Sequence, residues 1–289
     1  MKRVLITGKG SYIGTKVEQW LNRYPEKYAV EVLDMIGDGW KKSDFHGVDV
    51  VYHVAGIAHR NDAPDDLYEQ VNHKLAVEVA KKAASAGVSQ FIFMSSGAVY
   101  SQSDKKHKVI VVDENTALSP VTAYGISKLR AEEDLAKLDT AMKIAVIRPP
   151  MVYGPGAKGN YNSLAGIARR TPLFPDIKNK RSMIFIDNLC EFVRLLIDSG
   201  DSGIFLPQNK EYVRTSELVR QIAVNNGKHI HLTRVFNWLV LLSSNLVNVV
   251  NKVFGDFYYK KKIYFGNAYQ VVDFPESIKK TEAKVLKNE

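Results

Sequence analysis

Arg3-Val4-Leu5-Ile6-Thr7-Gly8-Lys9-Gly10-Ser11-Tyr12-Ile13-Gly14 is the stretch on which the fold turns. Its first five residues are β-rich and end at a glycine. From Tyr12 to Tyr24 the apolar residues Ile13, Val17, Trp20 and Leu21 then recur at helical spacing. Strand, tight turn and helix in that order place unpaired helix N–H groups, free of obstructing side chains, where a dinucleotide pyrophosphate can rest. Gly8, Gly10, Ser11, Tyr12, Ile13 and Gly14 are the candidate contacts.

A second strand, Ala29 to Met35, carries Asp34, 20 residues past Gly14. A carboxylate at that strand end suits the adenosine ribose hydroxyls and repels a 2′-phosphate, which favours NAD over NADP. Lys41 and Lys42 follow closely enough to moderate the preference. Asp49 to Val54 is a near-continuous apolar run of the kind found in buried parallel strands. Leu67 to Ala86 is helical in period and closes on Gly87; Gln90 to Ser95, Ala123 to Leu138 and Lys143 to Ile147 continue as strand, helix, strand. This alternation predicts an α/β fold with a doubly wound parallel (Rossmann) sheet whose ligands lie beyond the carboxyl ends of its strands.

After Arg148-Pro149-Pro150 the alternation weakens. Gly154-Pro155-Gly156 and Thr171-Pro172-Leu173-Phe174-Pro175 read as loops around one short helix. Met183 to Ile186 and the helix from Leu189 to Ile197 read as a return to the sheet. The expected division is a dinucleotide-binding domain over 1–157 and 181–206, and a smaller, mostly helical substrate-binding lobe over 158–180 and 207–289. No internal repeat or low-complexity tract interrupts it.

Tyr124-Gly125-Ile126-Ser127-Lys128 sets a phenol and an ammonium four residues apart, on one helix face. A phenol ionises near neutral pH only beside positive charge, and Lys128 together with the charge of an oxidised nicotinamide supplies it. Tyr124 then becomes a usable base. Ser96, at the end of the preceding strand, can hydrogen-bond an oxygen that alternates between hydroxyl and carbonyl as hydride moves.

These segments resemble the extended short-chain dehydrogenases of the NAD-dependent epimerase/dehydratase family. The N-terminal turn is similar to their Thr-Gly-x-x-Gly-x-x-Gly fingerprint, with Ser11 at the second glycine and Gly10 beside it. The likeness extends through Val54-Ala55-Gly56, Ser95-Ser96-Gly97-Ala98-Val99-Tyr100, Tyr124 to Lys128, Arg148 to Gly156 and Arg181 to Leu189. It covers roughly residues 3–225. It implies Ser96, Tyr124 and Lys128 as catalytic residues, with Ser96 and Tyr124 also meeting substrate. Ala55, Gly56 and Pro150 would line the cofactor, and Asp38 would meet adenine. The substrate would be a nucleotide sugar, with Arg181 on its diphosphate, Asn160 in the nucleotide pocket and Met151 where relatives carry an asparagine. A homodimer through the helices Leu67 to Ala86 and Ala123 to Leu138 is implied as well.

Ser96 is followed by Gly97-Ala98-Val99, with no carboxylate to protonate a leaving hydroxyl, which disfavours dehydration. A 4-epimerase on a UDP-hexose or UDP-N-acetylhexosamine, serving surface polysaccharide precursors, is the favoured expectation. A 4-keto reductase or dehydrogenase is the alternative. A non-catalytic NAD(P)-binding regulatory protein is a third reading, opposed by retention of Ser96, Tyr124 and Lys128.

Composition bounds the rest. The chain has 289 residues, 45% hydrophobic and 25% charged, with one cysteine, Cys190, so no intrachain disulfide forms. The glycine-rich turn comes too early for the apolar region of a signal peptide, and both features point to the cytoplasm. The net charge of +9 is scattered in short groups such as Lys105-Lys106 and Lys260-Lys261-Lys262, which suits small anions better than nucleic acid. Trp238 to Leu242 is apolar but breaks at Ser243-Ser244-Asn245, short of the ~20 residues of a membrane span. A packed lobe helix is expected there, with peripheral membrane contact as the weaker alternative. His53, His59 and His73 show no zinc-ligand spacing, so no metal is expected.

Overall fold

The structure, a computed structural model, describes residues 1–58, 63–100, 109–113, 115–235, 237–238 and 253–283. His59, Lys105, Lys106 and the apolar run after Trp238 lie outside them. The strands are β1 (Lys2–Thr7), β2 (Tyr28–Leu33), β3 (Val50–His53), β4 (Gln90–Met94), β5 (Ile110–Val112), β6 (Lys143–Ile147), β7 (Met151–Tyr153), β8 (Leu173–Pro175), β9 (Met183–Phe185), β10 (Gly203–Phe205), β11 (His231–Thr233) and β12 (Phe257–Tyr259). Helices are α1 (Tyr12–Leu21), α2 (Asp65–Tyr68), a π-helical turn (Glu69–Lys74), α3 (Leu75–Ser85), α4 (Ala123–Ala136), α5 (Asn160–Arg170), α6 (Ile186–Ser199) and α7 (Thr215–Asn225). The last is α8 (Phe274–Glu282).

Six strands pair in parallel in the order β10-β6-β4-β3-β1-β2. Their registers, such as Val4 opposite Val50 and Val51 opposite Phe91, send alternate side chains to opposite faces. Val4, Ile6, Tyr52, Ile92 and Ala145 face α1 and α6, whereas Leu5, Val51, Phe91, Phe93 and Val146 face α3 and α4. Burial on both faces explains why these strands read as unbroken apolar runs.

The order reverses at β1, with β2 on one side and β3 on the other, so a crevice opens beyond their carboxyl ends. Between Leu33 and Val50 the chain makes only a 3-10 turn at Gly39–Lys42, which buries Trp40. One strand therefore stands beyond the switch point where the usual 3-2-1-4-5-6 order has two. β2 is an outer edge.

The smaller lobe is built on α5, α7 and α8, and its side chains Leu164, Leu218, Ile222 and Ile278 join the core beneath α1 and α6. It is less purely helical than expected, since β8 pairs with β11 and β12 with β5, while Met183–Phe185, read as a return to the main sheet, pairs as β9 with β7 in a separate two-stranded sheet. Leu173–Pro175, read from sequence as loop, is a strand, and Gly203–Phe205 closes the main sheet. Among the described residues no helix is long and apolar enough to cross a membrane, and no group of three or more metal-ligating side chains forms.

Candidate active site

The turn after β1 is shaped by close approach. Gly8 has φ +102°, and a Cβ there would lie 2.9 Å from both the Cα and the N of Ala55. The loop thus presses backbone to backbone against the end of β3. Ser11 caps α1, its hydroxyl accepting from the Gly14 N–H at 3.2 Å. The amides of Tyr12 and Ile13, the first two helical residues, have no intrahelical acceptor and point out of the helix end. Gly8 and Lys9 both donate to the Leu33 carbonyl, at 3.0 and 3.2 Å, which brings Asp34 beside the turn.

Asp34 is exposed and accepts from the Ile36 amide at 2.9 Å. Asp38 is exposed too, but pairs with Lys41 at 2.8 Å. Cradle, helix end and strand-end carboxylate together fit a dinucleotide. The buried Tyr12 hydroxyl, without a hydrogen-bond partner among the described residues, marks one further polar atom at its edge.

α4 begins where Thr122 accepts from the Gly125 amide at 3.1 Å, so Tyr124 stands in the first turn and Lys128 one turn on. Gly125 sits so close to the strand end that a Cβ would come within 2.8 Å of the Ala98 carbonyl oxygen. That contact holds Tyr124 over the Ser96 loop. The Ser96 hydroxyl accepts from the Ala98 amide at 3.1 Å, and it lies near enough to Tyr124 to favour the ionised phenol. Tyr68 stands edge-on to Tyr124, ring centroids 6.3 Å apart.

Burial raises the Tyr124 phenol, while the Ser96 hydroxyl pulls it back toward ionisation. Lys128 is buried, donates to the Met94 carbonyl at 2.8 Å and lies 4.6 Å over the Phe93 ring. Burial brings its ammonium down to about 8, with Glu132 resisting. His53 is wholly buried, stacked on Phe91 and Phe93, and its Nδ1 pairs with the Thr7 hydroxyl at 2.8 Å. Burial first, and then the Lys128 charge, hold it down at about 3. It is a neutral core histidine, the plain reading of its strand position.

Asn72 went unnoticed in the sequence. It projects from the π-helical turn, fully buried, accepting from the Ile57 amide at 2.8 Å and donating to the Ile57 carbonyl at 3.0 Å and to Ser127 at 3.3 Å. It thereby ties the loop after Ala55-Gly56 to α4. One extra residue per turn re-aims a side chain without any change in composition, so a period count misses it.

Pro150 is buried just beyond β6, next to Pro149, whose carbonyl accepts from the Gly97 amide at 2.8 Å. Met151 lies half-buried on β7 and Asn160 is exposed at the start of α5. Arg181 enters β9, its backbone bridged to Val213 and Phe257 and its guanidinium donating to the Gly255 carbonyl at 3.1 Å. Burial lowers its guanidinium from the ordinary value, opposed by Asp256.

The dinucleotide crevice and the Ser-Tyr-Lys group beyond the strand ends define an enzyme of the extended short-chain dehydrogenase type. The model of the NAD dependent epimerase/dehydratase family matches residues 4–206, and the chain belongs to that family. It is 33% identical over 249 residues to a UDP-glucose 4-epimerase of Vibrio cholerae, covering 77% of this chain and 75% of the relative. It is 27% identical over 278 residues to an N-acetyl-alpha-D-glucosaminyl-diphospho-ditrans,octacis-undecaprenol 4-epimerase of Escherichia coli O157:H7, covering 88% and 82%. Among solved structures, the UDP-glucuronic acid 4-epimerase from Bacillus cereus in complex with NAD shares the fold, with a TM-score of 0.74 at 15% identity over 99% of both chains.

Proposed function

We propose that this chain is an NAD-dependent nucleotide-sugar 4-epimerase, working in the cytoplasm on precursors of a surface polysaccharide. The carrying observation is the Ser96, Tyr124 and Lys128 group at the end of β4 and the start of α4, with Gly97-Ala98-Val99 in place of a carboxylate. The Tyr124 oxygen takes the proton of the sugar C4 hydroxyl, Ser96 holds that oxygen as it becomes a carbonyl, and Lys128 stabilises the phenolate. Bound nicotinamide supplies the hydride acceptor and donor. Tyr124 would give the proton back to the C4 oxygen as it becomes a hydroxyl again.

A 4-keto reductase, which uses the same residues once, is supported by the adenosine side of the crevice. Asp34, Gly37 and Asp38 are exposed there, and Ile36 is 88% exposed, beside a sheet with one strand beyond the switch point. A weak hold on adenosine suits a cofactor that comes and goes. Purified protein carrying NAD that interconverts UDP-glucose-type and UDP-galactose-type sugars without added cofactor supports epimerisation. An absolute need for added NAD(P)H sinks it in favour of reduction. The panel should include UDP-, dTDP- and GDP-hexoses, their N-acetyl forms and a polyprenyl-diphosphate-linked N-acetylhexosamine, since one relative carries that name.

A homodimer through the helical stretches Leu67 to Ala86 and Ala123 to Leu138 is part of the proposal, and sedimentation as a monomer at micromolar concentration would count against it.

A further inference from the structure

Behind the reaction centre lies a buried charged assembly that the chemistry above does not use. Glu132 follows Lys128 by one helical turn and Tyr124 by two, on the same face of α4. Its side chain and that of Arg148 are each only 6% exposed. Arg148 donates through Nε to both carboxylate oxygens, at 3.1 and 3.0 Å, and a terminal nitrogen adds a further bond to Oε2. The Ser95 hydroxyl donates to the same carboxylate. The remaining Arg148 nitrogen donates to the Tyr100 hydroxyl at 2.5 Å, and the Arg148 carbonyl accepts from the Tyr259 hydroxyl at 3.0 Å.

One carboxylate thus joins the catalytic helix, the residue next to Ser96 at the end of β4, and the end of β6. A buried ion pair of this kind is a poor way to gain stability, because desolvating both groups offsets their attraction. Its geometry serves alignment. We propose that Glu132 is a positioning residue: clamped by Arg148, it pins the Ser95-Ser96 strand end to the helix face bearing Tyr124 and Lys128 and sets the field around the Lys128 ammonium.

The groups facing Lys128 are few. Among the described residues Glu132 comes from its own helix, neutral His53 from β3, and the Met94 carbonyl and Phe93 ring from β4. Glu132 is the negative charge among them, and it opposes the burial that favours loss of the ammonium proton. Of the Glu132–Arg148 pair, the carboxylate is the member whose charge acts on Lys128.

The inference rests on reading Ser96, Tyr124 and Lys128 as the reaction centre, and its test is separable from any particular sugar. Lysines carrying ¹³C at Cε are titrated by NMR, the Lys128 signal being identified by its loss in Lys128→Met. Glu132→Gln alone strands the Arg148 charge and endangers folding, so Glu132→Gln/Arg148→Met is the second variant, with both charges removed and volume kept. The Lys128 midpoint is expected to fall by about one pH unit or more in the double variant. On whichever nucleotide sugar the wild type turns over, kcat is expected to fall roughly ten- to a hundredfold with KM nearly unchanged.

A double variant that folds with the wild-type Lys128 midpoint and wild-type kcat overturns the proposal. A shifted midpoint in a protein whose wild type turns over no sugar upholds the role of Glu132 at Lys128 and refutes the enzymatic reading instead.

Discussion

Gly8 and Gly10 stand two residues apart in one turn, both at positive φ, yet replacing them with alanine should have different consequences. Gly10 has φ +76° with nothing within 4 Å of the position a Cβ would take, so Gly10→Ala should cost about 1 kcal/mol, the conformational penalty alone. At Gly8, with φ +102°, the added carbon would also meet the Ala55 backbone at 2.9 Å, against the 3.4 Å at which ordinary contact begins. Relief needs a movement of about 0.5 Å in the Ala55 backbone or in a turn whose Gly8 and Lys9 amides are held by the Leu33 carbonyl. Overpacking of that kind adds roughly 1–3 kcal/mol, for a total of about 3 kcal/mol in Gly8→Ala. Because the displaced atoms form the dinucleotide cradle, NAD affinity should drop more than tenfold in Gly8→Ala and much less in Gly10→Ala. Urea unfolding followed by tryptophan fluorescence, with calorimetric titration of NAD, reads both quantities. Equal loss of stability in the two variants, or unaltered NAD binding in Gly8→Ala, would show that the Gly8 to Ala55 approach does not shape the site.

Tyr124→Phe and Lys128→Met should each lower turnover by about a hundredfold or more while leaving far-UV circular dichroism unchanged. The buried Lys128 ammonium is held at about 8, below its unfolded value, so between that pH and the unfolded midpoint the unfolded chain binds more protons. Stability from this group therefore rises with pH above about 8, and below it Lys128→Met should be more stable than wild type in urea, a trade of stability for activity. His53, held at about 3, binds fewer protons folded than unfolded from there up to its ordinary range, so stability falls as pH drops through that window. His53→Leu should flatten part of that acid dependence in thermal unfolding at pH 4 to 7, and an unchanged slope would contradict the burial of a neutral imidazole. Arg181→Leu should raise KM for a nucleotide sugar at least tenfold with little change in kcat; an unaltered KM would remove Arg181 from the substrate pocket.

How much was legible in the sequence follows physical lines. Five of the six parallel strands and the helices around them announced themselves because burial demands apolar runs and helices demand a period, whereas β10, three residues long and exposed at Gly203 and Ile204, carries no such run. The spacing of Tyr124 and Lys128 was readable because it is local to one helix. Glu132 was not, since its meaning depends on Arg148 and Ser95, which only the folded sheet brings alongside. Asn72 was hidden by the π-helical turn. The strands β7, β8 and β12 are three residues each, too short for any alternation to register. Their pairings are decided by tertiary packing, as in the bridges from Arg181 to Val213 and Phe257. Asp38, expected at adenine, carries an ion pair to Lys41 that composition alone does not reveal.

The short passage from Leu33 to Val50, with its single 3-10 turn, leaves the molecule divisible into parts. On one flank of the switch point stand Ser96, Tyr124, Lys128 and the clamp behind them; on the other, a lone edge strand and an exposed loop lie where the proposed function puts adenosine. Changes to that loop, even the insertion of a helix and a strand beyond β2, would alter how long a cofactor stays without disturbing a single hydrogen bond of the reacting group. Residence time and chemistry are thus open to separate variation, and a lineage could move between keeping its cofactor and exchanging it by rebuilding one edge of the sheet.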